Sequence, residues 1–172
     1  MRKTIALFMT FMLSLGMLAG CGSKAEAPSV NSVTMENGKT VQSVVDQISE
    51  DVGMQMPADI DDSVLKDIFY IDPSTDIEEY YGKMAMTITS ADNIVAVKAK
   101  PDKKQVVVDG LNKRLEDVRA SFAQYLPDQS EKAKKGQVIE KGDYVFLLIL
   151  GQDVENFEDD MAKAVKYIDE AF

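Results

Sequence analysis

The chain has 172 residues, of which 45% are hydrophobic and 28% are charged, a composition that suits one globular domain preceded by a targeting segment. It contains one cysteine and no histidine, which excludes an intramolecular disulfide, a nucleophile activated by histidine and a histidine metal site. The net charge of −10 disfavours nucleic acid as a partner, because an acidic domain repels the phosphate backbone.

Residues 1–20 have the pattern of a secretory signal peptide. Arg2 and Lys3 form a basic head, and an uncharged apolar run of 13 residues follows from Ile5 to Met17. That run is shorter than the roughly 20 residues that a membrane-spanning helix needs. We therefore expect the segment to be removed. An uncleaved signal anchor is the alternative, because the uncharged stretch continues to Gly20.

Leu18-Ala19-Gly20-Cys21 resembles the lipobox of bacterial lipoproteins, in which small residues precede a cysteine that receives lipid. The resemblance implies cleavage between Gly20 and Cys21 and a diacylglyceryl group on the Cys21 thiol. Two acyl chains anchor a protein stably, whereas one does so only marginally. The sequence thus predicts a lipid-anchored protein on the outer, extracytoplasmic face of the cell membrane. Ordinary cleavage without lipidation is the alternative.

Residues 21–39 are predicted to comprise the lipidated cysteine and a flexible tether, because Gly22–Lys39 is polar and lacks apolar periodicity. A flexible tether of that length has a root-mean-square reach of about 23 Å. Residues 40–172 are predicted to form a single α+β domain.

Apolar residues at helical spacing predict four main helices, and short helical turns are predicted at Asp76–Tyr80 and Gln129–Lys135. Thr40 is a candidate N-cap for the first helix, and Gly53 is placed to end it. The four helices are expected at Val41–Val52, from Asp62 to about Phe69, from Pro101-Asp102 to Leu126, and from Asp153 to about Ala171.

Two hairpins are predicted, from Met84–Thr89 with Ile94–Ala99 and from Gln137–Glu140 with Tyr144–Leu150. The element order α-α-β-β-α-β-β-α favours a two-layer α+β fold with a mainly antiparallel, four-stranded sheet and helices packed on it. Tyr144–Leu150 is nearly all apolar, so we expect a central strand that is buried on both faces. If both faces are covered, the N-terminal helices pack on the second one.

Acidic clusters do not complete a calcium loop. The loop needs glycine at its sixth position and glutamate at its twelfth, and neither the stretch from Asp59 nor that from Asp72 supplies them. A role of Asp61 or Asp62 as a helix cap is favoured instead. No glycine-rich phosphate loop is present. Paired carboxylates that hydrolyse glycans are an alternative that the sequence does not localise.

Methionine pairs at Met54-Gln55-Met56 and Met84-Ala85-Met86 raise the possibility of a copper site, since thioethers are soft ligands for Cu(I). Core packing is the expected role, because Met84 and Met86 share one face of a strand.

Three further side chains are candidates for ligand contact. Tyr80 and Tyr81 stand before the first predicted strand, where they can stack on a sugar or peptide or pack at the rim of the core. Arg114 lies at the edge of the long helix, where it can bind a ligand or form an ion pair with a glutamate.

The segments Phe69-Tyr70-Ile71-Asp72, Ser90-Ala91-Asp92, Lys113-Arg114-Leu115-Glu116 and Gly142-Asp143-Tyr144-Val145, with Phe122 and Tyr125, carry a family resemblance. From about Val41 to Phe172 the chain resembles small lipoproteins of Gram-positive Firmicutes that are known only as a domain of unknown function. The resemblance implies export and a lipid anchor, and it implies no particular activity.

These features predict a non-enzymatic binding or interaction module without a cofactor. Its expected partners are the lipid bilayer, through diacylglyceryl-Cys21, and a protein or cell-wall component. The alternatives are a carboxylate-dependent cell-wall hydrolase and a metal-handling lipoprotein. A cleft with carboxyl groups of raised pKa would favour the hydrolase, a convergent methionine cluster would favour copper, and a grooved surface with exposed tyrosine would favour partner binding.

Overall fold

The computed structural model describes residues 33–36 and 38–172. The predicted signal peptide, Cys21 and most of the predicted tether lie outside the described residues. Among the described residues, no helix combines the length and the apolar character needed to cross a membrane. The elements are α1 (Val41–Val52), β1 (Pro57–Asp59), α2 (Asp62–Ile68), β2 (Ile77–Ala85), β3 (Asn93–Ala99), α3 (Lys104–Phe122), α4 (Pro127–Lys135), β4 (Gln137–Lys141), β5 (Tyr144–Ile149), a 3₁₀ turn (Val154–Asn156) and α5 (Phe157–Asp169).

The described strands form one antiparallel sheet in the order β1-β2-β3-β5-β4. The α+β class and the antiparallel pairing are confirmed. The expected number of four strands is wrong, because β1 adds a fifth at one edge. β1 escaped prediction because Pro-Ala-Asp is too short for an alternating pattern and contains proline, which is rare in strands.

The expected two-layer arrangement is also wrong, because helices cover both faces of the sheet. Val145, Leu147 and Ile149 of β5 face a core formed with α2 and α3. The alternate residues of β5 face a second core formed with α1 and α5. The all-apolar sequence of β5 therefore reflects burial on both faces, as expected for an internal strand.

The first long strand lies earlier in the chain than predicted. β2 begins at Ile77, so the helical turn expected at Asp76–Tyr80 is wrong, and Thr87–Thr89 belong to a loop. The pairing of β2 with β3 shifts between Ile77 and Glu79. A shift of this kind interrupts the period of two on which strand prediction depends.

The helix boundaries that rest on local capping are confirmed. Thr40 and Ser43 form a capping box at the start of α1, with the Thr40 Oγ1 accepting from the Ser43 N–H at 3.0 Å. Gly53 caps the other end with a φ of +88°. Asp61 caps α2, because its Oδ1 accepts from the Val64 N–H at 2.8 Å. α5 begins later than expected, since the residues after Asp153 form the 3₁₀ turn.

The two ends of the sheet carry different structures. At one end Asn93 pairs with Ile149, and at the other Lys98 pairs with Tyr144. Four connections meet at the Asn93 end, and together they are called the loop end here: residues 53–56, 86–92, 123–126 and 150–156.

The opposite end, called the tether end, contains residues 33–36, 142–143 and 170–172. The Glu36 N–H donates to the Ala171 carbonyl at 2.9 Å. Gly142 opens the β4–β5 turn with a φ of +58°, and a Cβ there would lie 2.7 Å from Val33 Cβ. The last part of the predicted tether therefore contacts the domain at this end.

Candidate functional site

A buried ion pair lies behind the loop end. Lys132 Nζ of α4 lies 2.6 Å from Asp92 Oδ1, and each side chain is only 1% exposed. The second carboxylate oxygen of Asp92 accepts from the Gln55 N–H at 2.9 Å. A single carboxylate thus joins α4, the β2–β3 loop and the α1–β1 connection. Because the pair is buried away from water, loss of either partner would leave the other charge buried without a counter-charge.

Further hydrogen bonds fix the backbone of the β2–β3 loop next to Asp92. The Gln129 Oε1 accepts from the Ala91 N–H at 3.0 Å, and Asn93 Nδ2 donates to the Ala91 carbonyl at 2.9 Å. Among the described residues, every buried side-chain nitrogen and oxygen has a hydrogen-bond partner. The polar groups beneath the loop are therefore satisfied, which holds the loop in one conformation.

Arg114 belongs to this network. Its Nε donates to Asn93 Oδ1 at 3.1 Å, and its guanidinium carbon lies 5.3 Å from the centre of the Phe69 ring. Burial lowers the pKa of Arg114, although the charge of Asp117 acts in the opposite direction. Arg114 thus braces the β2–β3 loop from below, and its partner is an asparagine rather than a glutamate.

The surface of the loop end is unusually apolar. Ile88, Met56 and Met86 are 85%, 66% and 65% exposed, and Tyr125 and Val154 are exposed as well. Exposed apolar side chains that share one end of a domain mark an interaction surface. This set is called the apolar loop patch below.

Backbone strain accompanies the patch. Met56 has a φ of +46° and Leu126 has a φ of +52°, values that residues other than glycine rarely adopt. Such strain persists only where the surrounding structure over-determines the conformation, and it is concentrated at binding and active sites.

Two cavities of about 510 and 220 Å³ lie among these loops. Gln55, Asp128 and Gln129 line both of them. Asp153 and Glu155 add two more carboxylates to the larger cavity. These two cavities, which are lined by acidic and amide side chains, therefore lie between residues of the apolar loop patch.

The methionine pairs are divided between surface and core. Met84 packs partly buried on the α3 side of the sheet, and Met54 packs on the α1 side. Met56 and Met86 lie opposite each other beyond the end of β2, where the Met86 N–H donates to the Met56 carbonyl at 3.0 Å. Core packing is thus wrong for Met86, because β2 ends at Ala85.

The structure does not bring Tyr80 and Tyr81 to Arg114. The Tyr80 hydroxyl donates to Asp62 at 2.5 Å, and burial together with that carboxylate raises the pKa of Tyr80. The Tyr81 hydroxyl donates to Asp59 at 3.0 Å. Both tyrosines lie within β2 and are tied to carboxylates of the β1–α2 region, away from the loop end.

The acidic side chains whose pKa departs from the ordinary range all depart downward. The acidic residues with a lowered pKa are Asp59, Asp72, Asp76, Asp117, Glu131 and Glu158. Hydrogen bonds from lysine, tyrosine or serine are the main cause. At Asp76 burial acts in the opposite direction, but the hydrogen bonds outweigh it. In the described part of the chain, no three acidic, histidine or cysteine side chains are grouped to hold a metal ion. These carboxylates are thus held charged by their partners, which is the reverse of a general acid.

Sequence reasoning missed Lys132 and Gln129. α4 reads Pro-Asp-Gln-Ser-Glu-Lys-Ala-Lys-Lys, in which Ala133 is the only apolar side chain after the proline. Lys132 and Gln129 share the inner face with Ala133 because of their three- and four-residue spacing. A lysine among other lysines gives no sign that it is buried.

A family comparison covers this network. Residues 49–150 match a family described as a domain of unknown function, DUF4358. The chain belongs to the DUF4358 family. The DUF4358 match includes Asp92, Arg114, Gln129 and Lys132, whereas α5 lies beyond it. No curated protein and no solved structure is significantly similar to the chain.

Proposed function

We propose that this DUF4358 protein is an exported lipoprotein of a Gram-positive, Firmicutes-type bacterium. In this proposal the protein is anchored through diacylglyceryl-Cys21 on the extracytoplasmic face of the membrane, and it binds a partner protein with the apolar loop patch. The observation that carries the proposal is the opposition of the two ends of the domain. Residues 33–36 contact the domain at the tether end, and the apolar loop patch lies at the other end.

The strands place the two ends about 20 Å apart, since a strand rises about 3.3 Å per residue. Because the predicted flexible tether has a reach of about 23 Å, a lipid at Cys21 would leave the apolar loop patch accessible to a partner. The loops are already held by the Asp92–Lys132 pair and by Gln129, so little conformational entropy is lost when a partner binds.

The chemistry of the loop end favours one kind of partner surface. Ile88, Met56 and Met86 supply apolar contact area, and Asp128 and Glu155 supply negative charge beside it. Interfaces combine an apolar centre with complementary charge at the rim. The matching surface is an apolar protein patch bordered by lysine or arginine.

The anchor is tested by metabolic labelling with an alkyne analogue of palmitate. The parent protein should take up the label and partition into detergent, and Cys21→Ser should do neither, because the only thiol is lost. Ser23→Ala is the matched control and should retain the label. Label in Cys21→Ser would show that lipid is not attached at this residue.

Partner binding is tested with a photo-cross-linking amino acid at Ile88 in intact cells. Ile88 is 85% exposed, so the replacement leaves the fold unchanged. A discrete product is expected from Ile88 and not from Val106, an exposed apolar residue of α3 that serves as the control. Ile88→Lys should weaken the isolated complex at least about tenfold, as for the centre of an interface. Equal products from both sites would contradict the proposal.

Copper binding is the second candidate, because Met56 and Met86 place two soft ligands opposite each other at the surface. A Cu(I) titration of the Met56→Leu/Met86→Leu variant separates the two functions, since leucine keeps the apolar surface and removes the thioethers. Loss of tight Cu(I) binding with unchanged partner binding would establish a separate metal site. Unaltered Cu(I) affinity would remove this candidate.

A further inference from the structure

The larger cavity of the loop end is lined by carboxylates that have no counter-charge. Asp128 lies in the first turn of α4, and Asp153 and Glu155 belong to the 3₁₀ turn, so the acids approach from two elements. Among the described residues, no lysine or arginine lines this cavity. In the same part of the chain, none of the three carboxylates forms a salt bridge. The cavity therefore presents unpaired negative charge.

The distribution of this charge favours an extended cation. The start of α4 carries a partial positive charge equivalent to about half an elementary charge, which three carboxylates outweigh. The carboxylates do not converge on one point, since no three acidic side chains of the described residues are grouped to hold a metal ion. The complementary group is therefore a cation whose charge and donors are spread over several atoms.

Gln129 adds a hydrogen-bond donor to the cavity. The residue is only 9% exposed, and its Oε1 accepts from the Ala91 N–H, which fixes the orientation of the amide. The side-chain NH₂ group has no acceptor among the described residues, in which every fully buried side-chain nitrogen has a partner. This NH₂ group is therefore reached by solvent, through the two cavities that Gln129 lines. An unpaired donor on a side chain that is nine-tenths buried calls for an acceptor on a ligand.

An arginine residue of a peptide supplies both kinds of group. Its guanidinium is planar, spreads its charge and presents five N–H donors, whereas the ammonium of lysine is a compact point charge. Its backbone carbonyl is an acceptor for the Gln129 NH₂ group. The amides of Gln55, Gln152 and Asn156 offer further oxygens to the guanidinium. The cavity volume of about 510 Å³ is within the usual range of ligand sites, which is about 300–1,000 Å³.

We propose that this cavity binds an arginine residue of the partner protein. The guanidinium lies among Asp128, Asp153 and Glu155, and a peptide carbonyl of the same segment accepts from the Gln129 NH₂ group. The cavity adjoins the apolar loop patch, because Val154 belongs to both. The arginine enters the cavity while its apolar neighbours contact the patch. Recognition of this arginine rests on the proposed function, in which the loop end binds a partner protein.

The site can be tested without the partner. The probe is Nα-acetyl-arginine methylamide, and Nα-acetyl-citrulline methylamide is the neutral analogue of nearly the same shape. In amide NMR spectra of the full mature chain in detergent, the arginine compound should shift the signals of the Gln129 NH₂ group and of the Asp153 and Glu155 backbone. The citrulline compound should not. Exposed ion pairs are individually weak, so we expect binding in the millimolar range.

A pair of isosteric changes tests the role of the charge. Asp153→Asn/Glu155→Gln removes two negative charges from exposed side chains without changing their size, and it should weaken the arginine compound at least about fivefold. Asp67→Asn/Glu79→Gln is the matched control, because it removes the same charge from exposed residues outside the cavity. In cells, the first variant should reduce the product captured at Ile88, and the control should not.

Three results would overturn the proposal. The first is that the citrulline compound binds as tightly as the arginine compound. The second is that the shifts persist unchanged in Asp153→Asn/Glu155→Gln. The third is that spermidine binds more than about tenfold more tightly than the arginine compound, which would assign the cavity to a free polyamine. Absence of a product at Ile88, together with arginine-specific shifts at Gln129, would contradict the proposed function and still support an arginine site.

Discussion

Replacing Lys132 by methionine tests whether the buried ion pair holds the loop end together. Methionine has a similar length and can contact the Phe157 ring, which lies 5.6 Å from Lys132 Nζ. The packing is thus largely kept, and the Asp92 carboxylate is left buried without its counter-charge. Breaking a buried pair in this way costs about 3–5 kcal/mol. Because the Gln55 N–H still donates to Asp92, we expect the lower part of that range, about 3 kcal/mol.

Urea denaturation at pH 7 measures the free energy of unfolding, and thermal unfolding should show a fall in Tm of roughly 10 °C for a domain of this size. A second variant removes the stranded charge. Asp92→Asn/Lys132→Met retains an acceptor for the Gln55 N–H and should cost about 1–2 kcal/mol, less than Lys132→Met alone. The coupling energy between the two side chains is the loss of stability in the double variant minus the sum of the losses in Lys132→Met and Asp92→Asn.

Lys134→Met is the control on the same helix. Lys134 pairs with Glu131 at 2.6 Å, but both side chains are exposed, so the change should cost less than about 1 kcal/mol. The reasoning is refuted if Lys132→Met and Lys134→Met are equally stable. It is also refuted if the Asp92→Asn/Lys132→Met double variant loses as much stability as the sum of its single variants.

Three further changes probe the scaffold by urea denaturation. Gly110→Ala should lower the free energy of unfolding by about 1 kcal/mol, although alanine favours helix. The reason is that the new Cβ would lie 2.7 Å from the Phe69 carbonyl oxygen. A variant more stable than the parent would contradict this contact. Thr40→Ala should cost about 1 kcal/mol through loss of the capping box, and Thr40→Ser should not. Burial alone would raise the pKa of Asp76, but the hydrogen bonds from Lys103 and other donors outweigh burial and lower it. The charged carboxylate therefore stabilises the fold above its unfolded pKa of about 4. This contribution is lost as the pH falls toward the lower pKa of the folded state. Asp76→Asn should therefore cost about 2 kcal/mol at pH 7 and less at pH 3, and an equal loss at both would be inconsistent with this.

Local sequence was sufficient wherever the structure depends on neighbours in the chain. The bounds of α1 were predicted to the residue, because its valine spacing, Thr40 and Gly53 all act within a few positions. β5 was predicted as an internal strand, since a run without polar residues is stable only when both faces are covered. β1 was not predicted, because its three residues become a strand only through pairing with β2.

For the candidate site too, some features were predictable from the sequence and others were not. The sequence by itself predicted the lipobox at Cys21 and determined the position of Arg114 on a helix, and it limited the chemistry by offering no histidine. Only the tertiary structure decided that Arg114 meets Asn93 and that Lys132 meets Asp92, contacts that span 21 and 40 residues of the chain. Such pairs are set by how helices pack over a sheet, and a charged side chain carries no local signal that its partner will be buried with it. The tertiary structure likewise placed residues 33–36 and the exposed Ile88 at opposite ends of one domain.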